Sequence, residues 1–230
     1  MALPDSSVAD ARRSLRASLR ARRRAVSAAD RAHAAREVAR LADQALRLRS
    51  GRRIGIYAAT AEELDTSCLI ALMLRRGCLV YLPRIDRRSR ARTMRFAQIT
   101  ASSLSVESSP GAARSAPPRR RPALAAPASL RINRFGIVEP EGAELASARL
   151  LDVVFLPLVG FDRHGTRLGM GGGYYDRAFG FRRLREFWHA PLLVGIGYAS
   201  QEVERIAAAA HDVPLDLVIT ERGVMRCARR

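Results

Sequence analysis

Residues 153–179, VVFLPLVGFDRHGTRLGMGGGYYDRAF, decide the fold that we predict for this chain. The stretch opens with a short apolar run from Val153 to Leu156, closed by Pro157, which is typical of a buried strand. A connection follows and ends in the segment Gly169 to Gly173, where four of five residues are glycine. Apolar side chains then recur at roughly helical spacing and predict a helix from Tyr174 to Leu184. The predicted order is strand, glycine loop, helix.

The glycine loop predicts an anion site. Glycines let backbone amides approach a ligand closely and adopt positive φ angles. Amides at the start of a helix bind anions, usually phosphate. The loop is not a Walker loop, because Gly173 is not followed by Lys-Ser/Thr. It is not a dinucleotide loop either, because Tyr174 stands where the GxGxxG pattern needs its last glycine.

Asp176 adds a cation to this prediction. It lies in the first turn of the predicted helix, where a carboxylate would repel a phosphate unless a cation lies between them. The pattern therefore predicts Mg²⁺ beside the phosphate. The alternative is that the glycines form a surface turn and Asp176 only caps the helix.

Composition limits the class of protein. A chain of 230 residues with 48% apolar content can bury one good core, and we expect one domain over residues 1–230. No apolar run is long enough to span a bilayer. Cys68, Cys78 and Cys227 are odd in number and lack a CxxC, which is typical of reduced thiols in a cytoplasmic protein. Acidic residues near the start argue against an organellar transit peptide.

The net charge of +18 invites a nucleic-acid interpretation. All 40 basic residues are arginine, and the excess lies in residues 1–53 and residues 84–134. The other segments are close to neutral, so the glycine loop is not in a basic region. Most arginines of the first segment are expected on a solvated helix face, although an N-terminal helix can also place an arginine at a phosphate.

The second basic region contains a low-complexity insertion at about 102–130. It is built from Ser, Ala, Pro and Arg and cannot bury enough apolar area to order itself. We predict a mobile insertion inside the domain. Its arginines, Arg119 to Arg121 among them, favour nonspecific polyanion binding, but we prefer the interpretation of a solvated loop and do not expect nucleic acid as a partner.

The remaining segments alternate between helix and strand, which implies parallel pairing with right-handed crossovers. Predicted helices cover residues 10–25 and 202–210. Another predicted helix begins at the capping-box pattern of Ser27 to Asp30 and ends at Gly51. A fourth includes Leu69 to Met73 and ends at Gly77. Predicted strands cover 54–57, 79–82 ending at Pro83, 93–99, 192–198 and 213–220.

The loop after the first strand holds three acidic candidates. Ligands of open parallel sheets bind at the carboxyl ends of strands, so Glu62, Glu63 and Asp65 are candidates for substrate contact. We expect Asp65 or Thr66 to cap the next helix instead. Glu63 is retained as a functional candidate.

The stretch from Phe161 to Asp176 resembles the signature of the 5-formyltetrahydrofolate cyclo-ligase family. Its pattern is FD-x-x-G-x-RLG-x-G-x-GYYD. Further stretches fall in the family's order: the arginine-rich opening at 13–16, IYAATAEELDT at 56–66, YLPRID at 81–86, NRFGIVEP at 133–140 and HDVPLD at 211–216.

The resemblance implies a three-layer α/β/α sandwich with a mostly parallel, Rossmann-like sheet. It implies an ATP- and Mg²⁺-dependent ligase in which the formyl oxygen of 5-formyltetrahydrofolate attacks the γ-phosphate. The folate nitrogen at position ten then displaces phosphate and gives 5,10-methenyltetrahydrofolate and ADP. The residues agree with this chemistry, because phosphoryl transfer needs positioning and charge neutralisation more than a protein nucleophile. We expect a monomer or weak homo-oligomer.

The resemblance also implies site residues. Arg167 and Tyr174 are the catalytic candidates. The ATP-binding candidates are Arg12, Arg16, Arg167, Leu168, Gly169, Met170, Gly171, Gly172, Gly173, Tyr174 and Tyr175. The folate-binding candidates are Ala58, Glu63, Met170, Gly171, Gly172, Gly173 and Tyr174, and the Mg²⁺ ligands are Asp176 and Asp212. A carboxylate such as Glu63 suits the row of hydrogen-bond donors on the pterin edge.

This chain departs from the family pattern in two respects. Arg12 stands where many members have lysine, and a planar guanidinium is not equivalent to a point charge at a phosphate. Met170 and Gly172 stand where some members carry a basic residue. Two other functions remain open: a protein of this fold that keeps the ATP site but acts on another substrate, and a basic nucleic-acid-binding module.

Overall fold

The computed structural model describes residues 5–85, 93–104, 129–132, 138–141, 145–184 and 190–228. Most of the predicted insertion at 102–130 lies outside these ranges, as do residues 133–137 of the NRFGIVEP stretch. Within the described ranges, no helix is long and apolar enough to cross a membrane.

The described chain contains four α-helices and twelve strands. The helices are α1 Asp5–Arg24, α2 Ala28–Leu46, α3 Ser67–Arg75 and α4 Tyr174–Phe179. The strands are β1 Arg53–Gly55, β2 Leu79–Ile85, β3 Met94–Ile99, β4 Ser129–Ile132, β5 Val138–Glu141, β6 Leu145–Ala146, β7 Val153–Pro157, β8 Gly160–Phe161, β9 Arg167–Leu168, β10 Leu192–Ile196, β11 Leu217–Thr220 and β12 Gly223–Arg226.

Eight of these strands form one sheet in the order β12-β11-β10-β7-β1-β2-β3-β6. The central strands β11, β10, β7, β1 and β2 are parallel to one another, whereas β12, β3 and β6 are antiparallel to their neighbours. Strands β4 and β5, and strands β8 and β9, form separate antiparallel pairs. The predicted mostly parallel α/β sheet is confirmed.

The central strand β7 is buried on both faces. Val153 and Phe155 pack in a cluster with residues of α2 and α3. Val154 and Leu156 point to the opposite face, where they pack with Phe179 of α4. All five side chains are at most 2% exposed. Because successive strand residues face opposite sides, one apolar run supplies both cores and fixes the three-layer arrangement.

Helix α1 packs at the carboxyl ends of the strands. Its Leu19 is fully buried with Val159, Leu168 and Ile206. A Cβ atom at Gly160 would lie 2.4 Å from the Leu19 side chain, so the close approach requires glycine at that position. The helix is thereby held against the β8–β9 hairpin, beside the glycine loop.

The predicted start of α2 is confirmed and its predicted end is wrong. The Ser27 hydroxyl accepts a hydrogen bond from the amide of Asp30 at 3.1 Å, as an N-cap residue does. The helix ends at Leu46, because Arg47 takes a left-handed conformation with φ 48°. Gly51, where we expected the end, belongs to the turn before β1.

The helix predicted over 202–210 is wrong. The described structure has a short 3₁₀ helix at Ala199–Gln201 and then an irregular segment. The amide of Val203 donates to the carbonyl of Phe161, and the amide of Ile206 donates to the Asp162 carboxylate at 3.0 Å. These amides are bonded across the chain, so they are not available for helical bonds.

Other boundaries shift by a few residues. The helix predicted over 174–184 is α-helical only through α4 and continues as a 3₁₀ helix, Gly180–Leu184. Strand β2 passes through Pro83 because its pairing with β1 stops at Tyr81, so the missing proline amide interrupts no bond on that side. Strand β11 begins at Leu217 instead of Val213, and edge strand β12 was not predicted.

Candidate functional site

A cavity of about 850 Å³ opens at the carboxyl ends of β1, β2 and β7. Its wall is formed by α1, the loop after β1, the glycine loop with the start of α4, and the segment 209–212. Residues of β2, β3 and β9 and of the end of β7 complete it. The cavity lies where ligands of open parallel sheets bind. Lining residues are Val8, Ala9, Arg12, Arg13, Arg16, Tyr57, Ala58, Thr60, Glu63, Pro83, Ile85, Met94, Pro157, Leu158, Arg167, Gly169 to Asp176 and Ala209 to Asp212.

The glycine loop has the backbone conformation that its composition predicts. Gly171 and Gly173 have φ angles of 98° and 61°, which side chains rarely adopt. A Cβ atom at Gly172 would lie 2.7 Å from the ring of Tyr174. Helix α4 has only six residues, so its dipole is small and the loop amides are the main anion-attracting groups.

Two arginines of α1 reach the glycine loop. The Nε of Arg16 donates to the carbonyl of Gly169 at 2.9 Å, and Nη2 of Arg20 lies 3.6 Å from the sulfur of Met170. Burial, and after it the charge of Arg12, lowers the pKa of Arg16 below its ordinary value. The α1 face that we expected to be mostly solvated therefore directs positive charge toward the loop.

Arg167 and Asp176 form a buried ion pair on the floor of the cavity. Nη2 of Arg167 lies 2.8 Å from Oδ1 of Asp176, and the two side chains are 5% and 14% exposed. The amide of Val213 also donates to Oδ1 of Asp176 at 3.3 Å. The Nε of Arg167 is buried and has no hydrogen-bond partner within the described residues. The Nε–H of Arg167 can therefore donate a hydrogen bond to a ligand.

Arg12 and Asp212 form a second ion pair across the mouth of the cavity. Nη1 of Arg12 lies 2.7 Å from Oδ2 of Asp212, and Nη2 lies 3.3 Å from Oδ1. Nη1 also donates to the carbonyl of Ala207 at 2.8 Å. One guanidinium thus connects α1 to segment 207–212.

The carboxylates suit a magnesium ion that arrives with phosphates. Asp176 and Asp212 lie close together, because Asp176 accepts a hydrogen bond from the amide of Val213, the residue after Asp212. The described ranges contain no group of three or more His, Cys, Asp or Glu side chains that could hold a metal by itself. Mg²⁺ is usually held by one or two carboxylates plus substrate phosphates, so two carboxylates fit this ion.

The end of the cavity at β1 is more apolar and contains Glu63. Both the amide and the hydroxyl of Thr60 donate to Oε2 of Glu63, at 2.9 and 3.0 Å. Burial, and after it the charge of Glu63, raises the pKa of Tyr175, so this phenol stays neutral and can donate a hydrogen bond. Oε1 of Glu63 accepts no hydrogen bond within the described residues and remains available to a ligand.

Nearly all the predicted site residues line this one cavity. The exception is Leu168, which is fully buried in the cluster around Leu19, so that any contact with a ligand would have to come from its main chain. Of the other acidic candidates, Glu62 pairs with Arg23 at 3.0 Å. Asp65 accepts from the amide of Ser67, the first residue of α3.

Sequence analysis did not identify the apolar lining. Ile85 lies in the cavity wall because β2 continues past Pro83, its predicted end, and there pairs with Met94 of β3, which lines the cavity too. Tyr57 is 4% exposed and also lines the cavity. The rule that ligands lie at carboxyl ends of strands could have indicated Pro83 and Ile85 at the end of β2.

Comparisons with known proteins agree on one family. The family described as 5-formyltetrahydrofolate cyclo-ligase matches residues 8–221. The chain is 27% identical over 214 residues to the mouse 5-formyltetrahydrofolate cyclo-ligase, covering 93% of this chain and 95% of that protein. It is 31% identical over 175 residues to the Escherichia coli K12 cyclo-ligase, covering 74% and 79%. Its fold is similar to the NMR structure of Aquifex aeolicus 5,10-methenyltetrahydrofolate synthetase, with TM-score 0.70, 25% identity, and coverage of 94% and 92%.

Proposed function

The chain belongs to the 5-formyltetrahydrofolate cyclo-ligase family, and we propose that it converts 5-formyltetrahydrofolate to 5,10-methenyltetrahydrofolate with ATP and Mg²⁺. The observation that carries the proposal is the cavity itself, which joins a glycine loop and arginines at one end to Glu63 and apolar side chains at the other. A reaction between a phosphate and a folate needs both ends in one space.

The phosphate end supports binding of the ATP triphosphate. Gly171 and Gly173 keep the loop open to a close backbone approach, and Arg16 brings a cation to it. Arg167 is fixed by Asp176 and retains an unused buried Nε–H. We assign it to the transferring phosphate, where a positioned guanidinium stabilises the charge that spreads over the phosphoryl oxygens.

The other end supports binding of the folate. Thr60 fixes one oxygen of Glu63 and leaves the second for the ring donors of the pterin. Tyr57, Ile85 and Met94 supply an apolar wall for the flat ring. We assign Tyr174, whose ring lies 5.1 Å from the guanidinium of Arg177, to the boundary between the two ligands.

These residues position two substrates and supply no nucleophile. The formyl oxygen attacks the terminal phosphorus of ATP, and ADP leaves. The folate nitrogen at position ten then attacks the formyl carbon, and phosphate leaves as the ring closes. The protein holds the formyl oxygen in line with the terminal phosphate and excludes water from it. Asp176 and Asp212 would hold Mg²⁺, which neutralises charge on the phosphates.

The test of the proposal is an omission experiment. Purified protein is mixed with 5-formyltetrahydrofolate, ATP and Mg²⁺, and the near-ultraviolet absorbance of the methenyl product is followed. We expect a rise that requires all three components. No rise from protein that still binds ATP would contradict the proposed substrate and favour another ATP-dependent acyl activation.

A cytoplasmic location and a monomeric or weakly associated state stay predictions. Cys68, Cys78 and Cys227 are all free thiols, which supports a reducing compartment. Sedimentation of the purified protein over a range of concentrations would test the predicted state.

A further inference from the structure

Both carboxylates that we assign to Mg²⁺ are already paired with arginines. Asp176 is bonded to Arg167, and Asp212 is bonded to Arg12. The charge that would attract a cation is therefore neutralised in the ligand-free chain. A divalent cation alone would meet two guanidinium groups at the same oxygens.

The two pairs are similarly buried, with side chains 5% and 14% exposed in Arg167–Asp176 and 11% and 11% exposed in Arg12–Asp212, but they join different parts of the chain. Arg167 is 6% exposed, lies 5.7 Å from the ring of Tyr175, and its pair with Asp176 is supported by the amide of Val213. Arg12 reaches Asp212 from another element, α1, at the mouth of the cavity. It also lies close enough to Arg16 to lower the pKa of that residue, so the two guanidinium groups repel each other.

Arg12 competes with a metal ion for the carboxylate of Asp212. Its Oδ2 accepts from Nη1 of Arg12 and from the amide of Ala209, at 2.7 and 2.8 Å, and its Oδ1 accepts from Nη2 of Arg12. Both oxygens thus face the guanidinium. A phosphate offers the same planar fork an equivalent set of acceptors.

We propose that Arg12 and Asp212 form an exchangeable pair that makes metal binding depend on the nucleotide. Without ligands, the pair holds segment 207–212 against α1. When a nucleotide and a divalent cation enter together, Arg12 turns to the phosphates and Asp212 turns to the cation. Every charge stays paired in the exchange. Arg12 exchanges the Asp212 carboxylate for a phosphate, and Asp212 exchanges the guanidinium for the cation.

The exchange has a thermodynamic consequence. A cation alone must break the Arg12–Asp212 pair, whereas a cation with phosphates replaces it. Metal and nucleotide must then strengthen each other's binding by the same factor, and couplings of this kind are typically about 5- to 150-fold. This inference rests on the proposed phosphate and metal roles of the cavity, but its test does not require turnover.

The test uses Mn²⁺ as the probe and measures free Mn²⁺ by electron paramagnetic resonance, with and without ADP, and subtracts the Mn²⁺ that ADP binds in samples without protein. We expect weak Mn²⁺ binding to the wild-type chain alone and at least about tenfold tighter binding when ADP is present. Arg12→Met should bind Mn²⁺ alone at least about tenfold more tightly than wild type and lose most of the enhancement by ADP. Adding Asp212→Asn to Arg12→Met should remove that gain.

Arg13→Met is the matched control. Arg13 lies on the same helix and lines the same cavity, but it pairs with Asp10 and its side chain is 79% exposed. Its removal takes away the same charge without freeing Asp212. A gain in Mn²⁺ affinity equal to that of Arg12→Met would show a general charge effect and overturn the exchange.

Hydrogen exchange provides a second readout. Arg12→Met should raise amide exchange over 207–212, where the carbonyl of Ala207 and the carboxylate of Asp212 lose their shared partner. If Arg12→Met does not fold, Arg12→Lys keeps the charge without the fork, and a smaller shift in the same direction is expected.

Equal Mn²⁺ affinity of wild type and the folded variant, without ADP, would overturn the inference. If the wild type meanwhile forms the methenyl product, the proposed function stands and only the exchange fails. If the exchange is observed and no product forms, the proposed substrate fails instead.

Discussion

Glu63 receives two hydrogen bonds on one carboxylate oxygen. The amide and the hydroxyl of Thr60 both donate to Oε2, three residues before Glu63 in the chain. This short loop fixes the carboxylate without using Oε1. A single side chain is thus oriented by local bonds for contact with a ligand.

Glu63→Gln should weaken folate binding selectively. Hydrogen bonds to a charged group contribute about 1.5–3 kcal/mol each, so we expect the KM for 5-formyltetrahydrofolate to rise by about tenfold to a hundredfold. The KM for ATP should not change. Glu204→Gln, on an exposed residue outside the cavity wall, is the control. Equal KM values for folate in Glu63→Gln and wild type would exclude the assigned role.

Gly171→Ala and Gly51→Ala form a matched pair. Both glycines have positive φ angles, 98° and 79°, and a Cβ atom at either would have no neighbour within 4 Å. Each substitution should therefore cost about 1–2 kcal/mol of unfolding free energy through backbone strain alone. Only Gly171→Ala should lower kcat/KM for ATP, by about tenfold or more, because it reshapes the phosphate loop. Denaturant unfolding and steady-state kinetics measure the two effects, and equal kinetics for both variants would contradict a phosphate role of the loop.

At the scale of elements, α1 connects the two ends of the cavity. Near its start Arg12 contacts segment 207–212, in its middle Arg16 contacts the glycine loop, and near its end Arg23 pairs with Glu62 in the loop that carries Glu63. Arg23 is 1% exposed, so this last contact is deep in the fold. The position of α1 therefore affects both the nucleotide end and the folate end of the cavity.

Leu19→Ala should loosen α1 and impair the site. Leu19 is fully buried, and removing such a side chain costs about 2–5 kcal/mol of unfolding free energy. Leu69→Ala is the control, because Leu69 is 1% exposed on α3, an element outside the cavity wall. Both variants should lose similar stability in denaturant unfolding. Only Leu19→Ala should raise the KM for ATP, and an equal KM for ATP in the two variants would contradict the bridging role of α1.

Local patterns predicted the elements whose stability is local. The apolar run of β7 and the Ser27 cap of α2 were found because burial on both faces and capping each leave a short sequence signature. The segment 202–210 was mispredicted because its amides bond to Asp162 and Phe161, far away in the chain. Such long-range bonds leave no periodic pattern.

The same limit applies to the site. Its residues were predicted individually from the glycine loop and the family resemblance, but their pairing was not. Arg12 and Asp212 are 200 residues apart in the chain, and nothing in the sequence indicates that a predicted phosphate ligand bonds a predicted metal ligand. The fold brings them together at the mouth of the cavity.

At the scale of the whole molecule, the charge of +18 has two components. Part of the N-terminal excess lies inside the fold, where Arg12 and Arg16 face the cavity. Most of the second basic region lies outside the described ranges. Positive charge around the cavity raises the local concentration of anionic substrates, which suits both ATP and a folate.

Deleting residues 105–128 should separate the two components. We expect turnover within about twofold of wild type, because the deleted segment is of low complexity and contains none of the assigned site residues. Any affinity for RNA or DNA should fall steeply with salt and disappear with the deletion, as expected of phosphate contacts by arginines. Fluorescence anisotropy across a salt series measures the affinity. A folded deletion variant without turnover, or with undiminished nucleic-acid binding, would contradict this division.

The most direct test of the account is a single-turnover experiment that follows methenyl absorbance and released phosphate in the same sample. Wild type should form one methenyl product per phosphate, and Asp10→Asn, on an exposed residue, should do the same. Asp176→Asn, shown to be folded by circular dichroism, should form neither. Phosphate release without methenyl product, or wild-type rates in folded Asp176→Asn, would contradict a cyclo-ligase reaction in this cavity.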